Sequence, residues 1–169
     1  MAPRTDREAG GDRPPAAVAV VCLGNTLMCD DGVAAAVARL LGSRLPREAA
    51  LHVQAHADQT LVSILRGSSA VVVVDALDAG APPGAVFRFD PDEAGVTRTR
   101  SHNMHGMGLG YALTNARLLG ADPRVVVFGV QVGDVRPAPD TLSPRVASAV
   151  PDVAELVAAE VRSMLAQAS

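Results

Sequence analysis

Two periods of hydrophobic spacing run through the chain. Val18-Ala19-Val20-Val21-Cys22-Leu23 and Ala70-Val71-Val72-Val73-Val74 are unbroken apolar runs, the pattern of strands buried on both faces. Arg124 to Val132 is a third such run and contains Gly129. Leu51 to His56 alternates apolar and polar residues, which predicts a half-buried strand, and Ala85 to Phe89 predicts a further short one. Between these runs the spacing turns helical. Val33, Val37, Leu40 and Leu41 form one stripe from Gly32 to about Leu41, ended by Gly42. Asp58 offers a cap for a short helix through Leu65. Leu109, Leu113 and Ala116, with Leu118 or Leu119, predict a helix from His105 to near Gly120. Ser143 as cap and Pro144 at the first position open a last helical segment that runs to about Ala166, with a break or new start expected at Pro151.

The order β-α-β-α-β-β-α-β-α predicts a three-layer α/β/α fold with helices on both faces of a mostly parallel, twisted five-stranded sheet. The nine residues from Ala76 to Gly84 are too few for a helical crossover, so the strand at Ala85 to Phe89 is expected to run antiparallel to its predecessor. Residues 1–15 carry Arg, Asp, Gly and Pro without periodicity and are expected to form a disordered tail, leaving 16–169 as a single domain. Asp90 to Arg100 reads as an exposed polar loop.

Composition narrows the chemistry. A chain of 169 residues can bury a core without disulfides, and a 49 % hydrophobic share with no Trp, one Tyr and three Phe makes that core aliphatic. A net charge of −3 without a clustered basic run leaves no electrostatic footprint for nucleic acid or an anionic membrane. All 15 basic residues are Arg, which excludes a P-loop lysine, a Ser-Lys dyad and a Schiff base. Cys22 and Cys29 do not read as a secreted disulfide framework, so a reducing cytosol is expected. The apolar part of residues 1–23 is short and runs into Gly24-Asn25 without a cleavage site, and no segment reaches the ~20 apolar residues needed to span a bilayer.

Gly-x-Ser-x-Gly, His-Glu-x-x-His, Asp-Thr-Gly, Asp-Ser-Gly, Cys-x-x-Cys and the full Gly-x-Gly-x-x-Gly are all missing. What remains is acids and histidines where a parallel sheet binds its ligands, outside the carboxyl ends of the strands. Asp30 and Asp31 follow the first strand, Asp75 ends the third, and His102 and His105 stand near a helix N-terminus. Asp30 is suited to cap the helix after it, which leaves Asp31 near the positive end of the helix dipole; the alternative is that both acids only cap. A histidine near a helix N-terminus keeps a ring nitrogen available to a metal, and two carboxylates with an imidazole suit a borderline divalent ion. Gly106, Gly108 and Gly110 are poor helix formers, pointing either to a close approach by backbone or ligand or to a frayed helix start.

Leu23-Gly24-Asn25-Thr26-Leu27-Met28-Cys29-Asp30-Asp31-Gly32, Val72-Val73-Val74-Asp75-Ala76, Pro83-Gly84, His105-Gly106-Met107-Gly108-Leu109 and Val127-Phe128-Gly129-Val130 resemble, in order and spacing, the motifs of the [NiFe]-hydrogenase maturation endopeptidases. The resemblance runs from about residue 18 to the C-terminus. It implies a phosphorylase/hydrolase-like fold and a cytoplasmic, monomeric endopeptidase of aspartyl or metal-assisted type. Such an enzyme removes the C-terminal extension of a hydrogenase large-subunit precursor after nickel insertion. Asp31 and Asp75 carry over as the catalytic acids, and together with His105 as the metal-recognising set, with His102 in His102-Asn103-Met104 as the rival to His105. The nickel is expected to arrive on the substrate, with no organic cofactor. Asn25 and Gly32 are candidates for positioning the substrate, against the alternative that both serve turn geometry. A non-catalytic nickel-sensing chaperone for the same precursor and a small-molecule metallohydrolase remain as alternatives.

Overall fold

The structure is a computed structural model that describes residues 17–92 and 106–168. The expected tail at 1–15, most of the expected loop at 90–100, and both His102 and His105 lie outside the described residues. Five strands, β1 (Val18–Leu23), β2 (Ala49–Gln54), β3 (Ala70–Leu77), β4 (Val86–Phe89) and β5 (Arg124–Gln131), form one sheet in the order β2-β1-β3-β5-β4. Four are parallel, and β4 pairs antiparallel with β5 from Val86 opposite Val130 to Phe89 opposite Val127. The mixed sheet and its antiparallel strand agree with the hydrophobic pattern. Two strand ends differ from expectation. β2 starts and stops two residues early because it pairs with β1 only from Ala49 opposite Val18 to Gln54 opposite Leu23, leaving Ala55 and His56 exposed. β3 continues past Asp75 to Leu77 because β5 supplies hydrogen-bonding partners that far.

Four helices cover the sheet: α1 (Val33–Leu41), α2 (Gln59–Arg66), α3 (Gly106–Leu118) and α4 (Pro144–Ala168). Strand alternation divides the core between two faces. Val18, Val20, Cys22, Val72 and Val74 pack with Val33 and Val37 of α1 and with Val146 to Met164 of α4. Ala19, Val21, Leu23, Val71 and Val73 pack with Leu61 and Leu65 of α2 and with Leu109 and Leu113 of α3. Asp58 caps α2 as expected, accepting the Thr60 N–H at 2.8 Å.

The hydrophobic stripes need three corrections. Ala34 and Ala38 join the buried face of α1 while Leu40 is only half-buried. On α3 the buried stripe is Leu109, Ala112, Leu113 and Ala116, and Leu118 and Leu119 are exposed because the helix has left the sheet before Gly120 turns the chain at φ +84°. Pro151 does not interrupt α4, which runs 25 residues through it. Its ring lies on the exposed face, while Val150, Val153, Ala154, Val157 and Ala158 hold the flanking turns against the sheet. Tertiary burial thus outweighs one missing intrahelical hydrogen bond.

Replacing Pro151 by Ala restores that bond at the expense of a more flexible unfolded chain. Pro151→Ala is expected to raise the unfolding free energy by about 2 kcal/mol, measurable as a higher urea midpoint at unchanged slope.

Candidate active site

All four parallel strands end on one edge of the sheet, and the loops that leave them are bonded to one another. The first loop departs at Gly24, whose N–H donates to the Gln54 carbonyl at 3.0 Å. A Cβ on Gly24 would lie 2.2 Å from the Asp31 carbonyl oxygen, so only glycine lets the loop fold back this closely. Asn25 accepts the Leu27 N–H on its side-chain oxygen at 3.0 Å, forming a local turn, and donates its own N–H to Asp31 Oδ2 at 3.2 Å. The loop closes in a single 3₁₀ turn, Cys29–Gly32, in which Asp30 and Asp31 are both buried. Gly32 sits against Thr26, where a Cβ would come within 3.2 Å of Thr26 Cα. These contacts of Asn25 and Gly32 lie within the loop.

The 3₁₀ turn packs against β3, the strand beside β1. Asp31 and Asp75, 44 positions apart in sequence, therefore share one sheet edge, 2 % and 3 % exposed. Asp75 pairs with Gly129 near the end of β3, and strand alternation puts it on the face that carries α2 and α3. The start of α3 reaches this same edge. Gly108 lies against the β2–α2 loop, where a Cβ would meet the Ala57 Cβ at 2.8 Å and its carbonyl oxygen at 3.1 Å. Backbone approach thus accounts for Gly108.

Asp30 does something other than expected. It caps no helix: the residue before α1 is Gly32, with no side-chain cap. Its carboxylate instead crosses to the loop after β5, accepting N–H bonds from Gly133 at 2.9 Å, Asp134 at 2.8 Å and Ser143 at 2.7 Å, and the Ser143 hydroxyl at 2.8 Å. Burial pushes the Asp30 pKa up, but the hydrogen bonds from Ser143, Gly133 and Asp134 outweigh it and hold the carboxyl below its ordinary value. The two loops are also joined along their backbones. Asp30 N–H donates to Asp134 C=O, Ala138 N–H to Leu27 C=O and Asp140 N–H to Thr26 C=O.

Gln131 has the equivalent task on the other flank and was not singled out in the sequence. Buried at the end of β5, it accepts from Ala79 N–H at 2.8 Å and Ala81 N–H at 3.3 Å and donates to Asp78 Oδ1 at 3.0 Å, so it pins the β3–β4 loop that follows Asp75. The detectable signal is an amide at the end of an otherwise apolar strand. Cys22 and Cys29 are free and buried, and burial pushes the Cys22 thiol up to about 12, so it is no nucleophile at neutral pH. A polar cavity of about 320 Å³ lined by Asp92, Arg117 and Arg124 lies at the opposite edge, away from the acids. Among the described residues no group of three His, Cys, Asp or Glu side chains is placed to hold a metal ion. The donors that the described residues do bring to this edge are two buried carboxylates, Asp31 and Asp75, a chemistry that suits a hard or borderline divalent ion.

The model of the hydrogenase maturation protease family, HycI, matches residues 56–160. The chain belongs to that family. This hydrogenase maturation protease has the fold of solved family structures. With the hydrogenase-maturating endopeptidase HybD from E. coli it shares 23 % identity over 86 % of this chain and 92 % of that one, at a TM-score of 0.75. With the [NiFe] hydrogenase maturation protease HybD from Thermococcus kodakarensis it shares 24 % identity over 83 % and 95 %, at 0.67. With the hydrogenase 2 maturation peptidase from Thaumarchaeota archaeon SCGC_AB-539-E09 the figures are 26 %, 83 % and 94 %, at 0.60. A search of curated proteins finds no match. The matched span includes Asp75 but starts after the first loop, so Asp31 is tied to the protease fold through β1 and the sheet edge. No helix among the described residues is long and apolar enough to cross a membrane.

The Asp30 bonds generate a stability prediction. Asp30→Ala removes the acceptor of three partly buried N–H bonds and is expected to cost about 3 kcal/mol in urea unfolding. Because the folded pKa is depressed, the contribution is fully present above the unfolded value of about 3.9 and is lost as pH falls through the folded pKa. The acid limb of the stability curve should therefore flatten in Asp30→Asn.

Proposed function

We propose that this protease removes the C-terminal extension of a [NiFe]-hydrogenase large-subunit precursor in the cytoplasm, after nickel has been inserted, with Asp31 and Asp75 as its catalytic acids. One observation supports the residue assignment: two buried carboxylates from separate segments stand at the carboxyl edge of the sheet, whose loops are bonded to one another. Family membership supplies the reaction class. The nickel belongs to the substrate. Asp31, Asp75 and His105 complete its coordination, with His102 as the rival third ligand, and so hold the scissile peptide against the edge. Two routes to hydrolysis are compatible with these residues. In one, the substrate's nickel polarises the scissile carbonyl. In the other, a carboxylate accepts a proton from the attacking water and returns it to the departing amine nitrogen as the C–N bond breaks. Asn25 and Gly32 shape the loop that presents Asp31 and lie where the substrate would pass. The enzyme acts as a monomer and needs no organic cofactor.

The test is the mass of a nickel-loaded cognate precursor after incubation with the protein. Release of a C-terminal peptide is the expected result, and unchanged mass in a confirmed complex overturns the reading in favour of a chaperone. Asp31→Asn and Asp75→Asn are each expected to lower the cleavage rate at least about a thousandfold. Because neither variant deletes volume from the core, thermal unfolding should move by only a few degrees. Of the two histidine variants, His105→Ala is expected to abolish cleavage and His102→Ala to retain it; the reverse result assigns the third ligand to His102.

A further inference from the structure

β2 is an edge strand whose outer side pairs with no strand among the described residues. Gly24 N–H bonds to the Gln54 carbonyl, so Gln54, and by alternation His52 and Ala50, turn their main-chain groups toward β1. Leu51 and Val53 therefore turn theirs outward. Among the described residues no hydrogen bond beyond the sheet ladder reaches either of them, whereas the N–H of Ala49 is taken by Pro46. Natural edges are usually blunted by charge, proline, a bulge or brevity. β4, the opposite edge, is only four residues long and carries Arg88, bonded to Glu160 of α4 at 2.8 and 2.9 Å. β2 has none of these devices: its six residues are uncharged and free of proline, and Val53 is 55 % exposed. His52 is half-buried, and burial lowers its pKa, so it adds no charge at neutral pH.

The open edge leads into the site. Its last residue, Gln54, is bonded to Gly24, the first residue of the loop that carries Asp31. The side-chain oxygen of Gln54 is buried without a hydrogen-bond partner among the described residues, and strand alternation places it on the same sheet face as Asp75. A row of outward main-chain groups that ends at an unsatisfied acceptor, on the sheet edge that also holds the two acids, matches one chemistry, an extended polypeptide adding as a further strand. We propose that β2 docks the precursor segment flanking the scissile bond by strand addition, with Leu51 and Val53 bonding its backbone and Gln54 Oε1 accepting an N–H where the peptide turns toward the acids. This rests on the peptidase reading. It explains how a segment of arbitrary sequence could be held, since main-chain bonds supply affinity without side-chain selection.

Val53→Pro removes one outward N–H but no bond of the β1–β2 ladder, so β2 should tolerate it. With the nickel-loaded precursor as substrate, Val53→Pro is expected to raise KM about tenfold at little-changed kcat, and Val53→Thr, which keeps the N–H and the branched Cβ, to restore KM. Hydrogen exchange on the full-length Asp31→Asn protein, which reads docking whether or not cleavage occurs, should show the Leu51 and Val53 amides slowed by the precursor at least tenfold. Unslowed amides in a complex confirmed by co-elution overturn the proposal, even if Val53→Pro fails to fold. So does slowing by rising protein concentration alone, which would identify a second copy of the chain as the occupant. Wild-type cleavage with unslowed amides removes only the docking proposal, whereas protected amides without cleavage remove only the peptidase reading.

Discussion

The Asp30 carboxylate is the interaction on which the carboxyl edge depends. Four donors from the loop after β5 converge on it, and it belongs to the same 3₁₀ turn as Asp31. Burying a carboxylate is costly unless its lone pairs are filled, and here they are filled by three backbone N–H groups and the Ser143 hydroxyl. One ionised group thus offsets the desolvation of two loops at once. It also fixes the position of its neighbour, because a shift of Asp30 carries Asp31 with it.

A second constraint acts from below. β1 lies between β2 and β3 and is fully buried, so the loop after it must leave by a narrow exit. Gly24 permits that exit by bringing the backbone to the Asp31 carbonyl. Gln131 and Gly133 do the same for the β3–β4 loop, the first by hydrogen bonds and the second by lying under Pro83, where a Cβ would come within 2.9 Å. The edge is consequently a set of short loops tied side to side, a surface able to hold two acids in place before a substrate arrives.

The outer strands complete the arrangement differently. β4 is short and carries Arg88, whose bonds to Glu160 also hold the Glu160 carboxyl below its ordinary value. β2 is left open. This asymmetry puts the free hydrogen-bonding edge beside β1 and its loop, on the side of the sheet that carries the first acid.

Local pattern was enough for the strand and helix order, the antiparallel β4, the Asp58 cap, and the placement of Asp31 in the loop after β1 and of Asp75 near the end of β3. Each of these follows from periodicity or from a residue acting within a few positions of itself. The pairing limits of β2 and β3, the continuity of α4 through Pro151 and the exposure of Leu118 and Leu119 were decided by partners distant in the chain. Asp30 shows the division most clearly. By sequence it was a helix cap, because a carboxylate before a helix has an obvious local partner. In the structure its donors come more than 100 positions away, and no local rule weighs a bond whose two ends meet only when the sheet has formed. Sequence by itself determined which acids stand at the edge; tertiary structure decided that Asp30 is the one that holds the loops, because hydrogen-bond satisfaction in a buried site is settled by the groups that folding brings together.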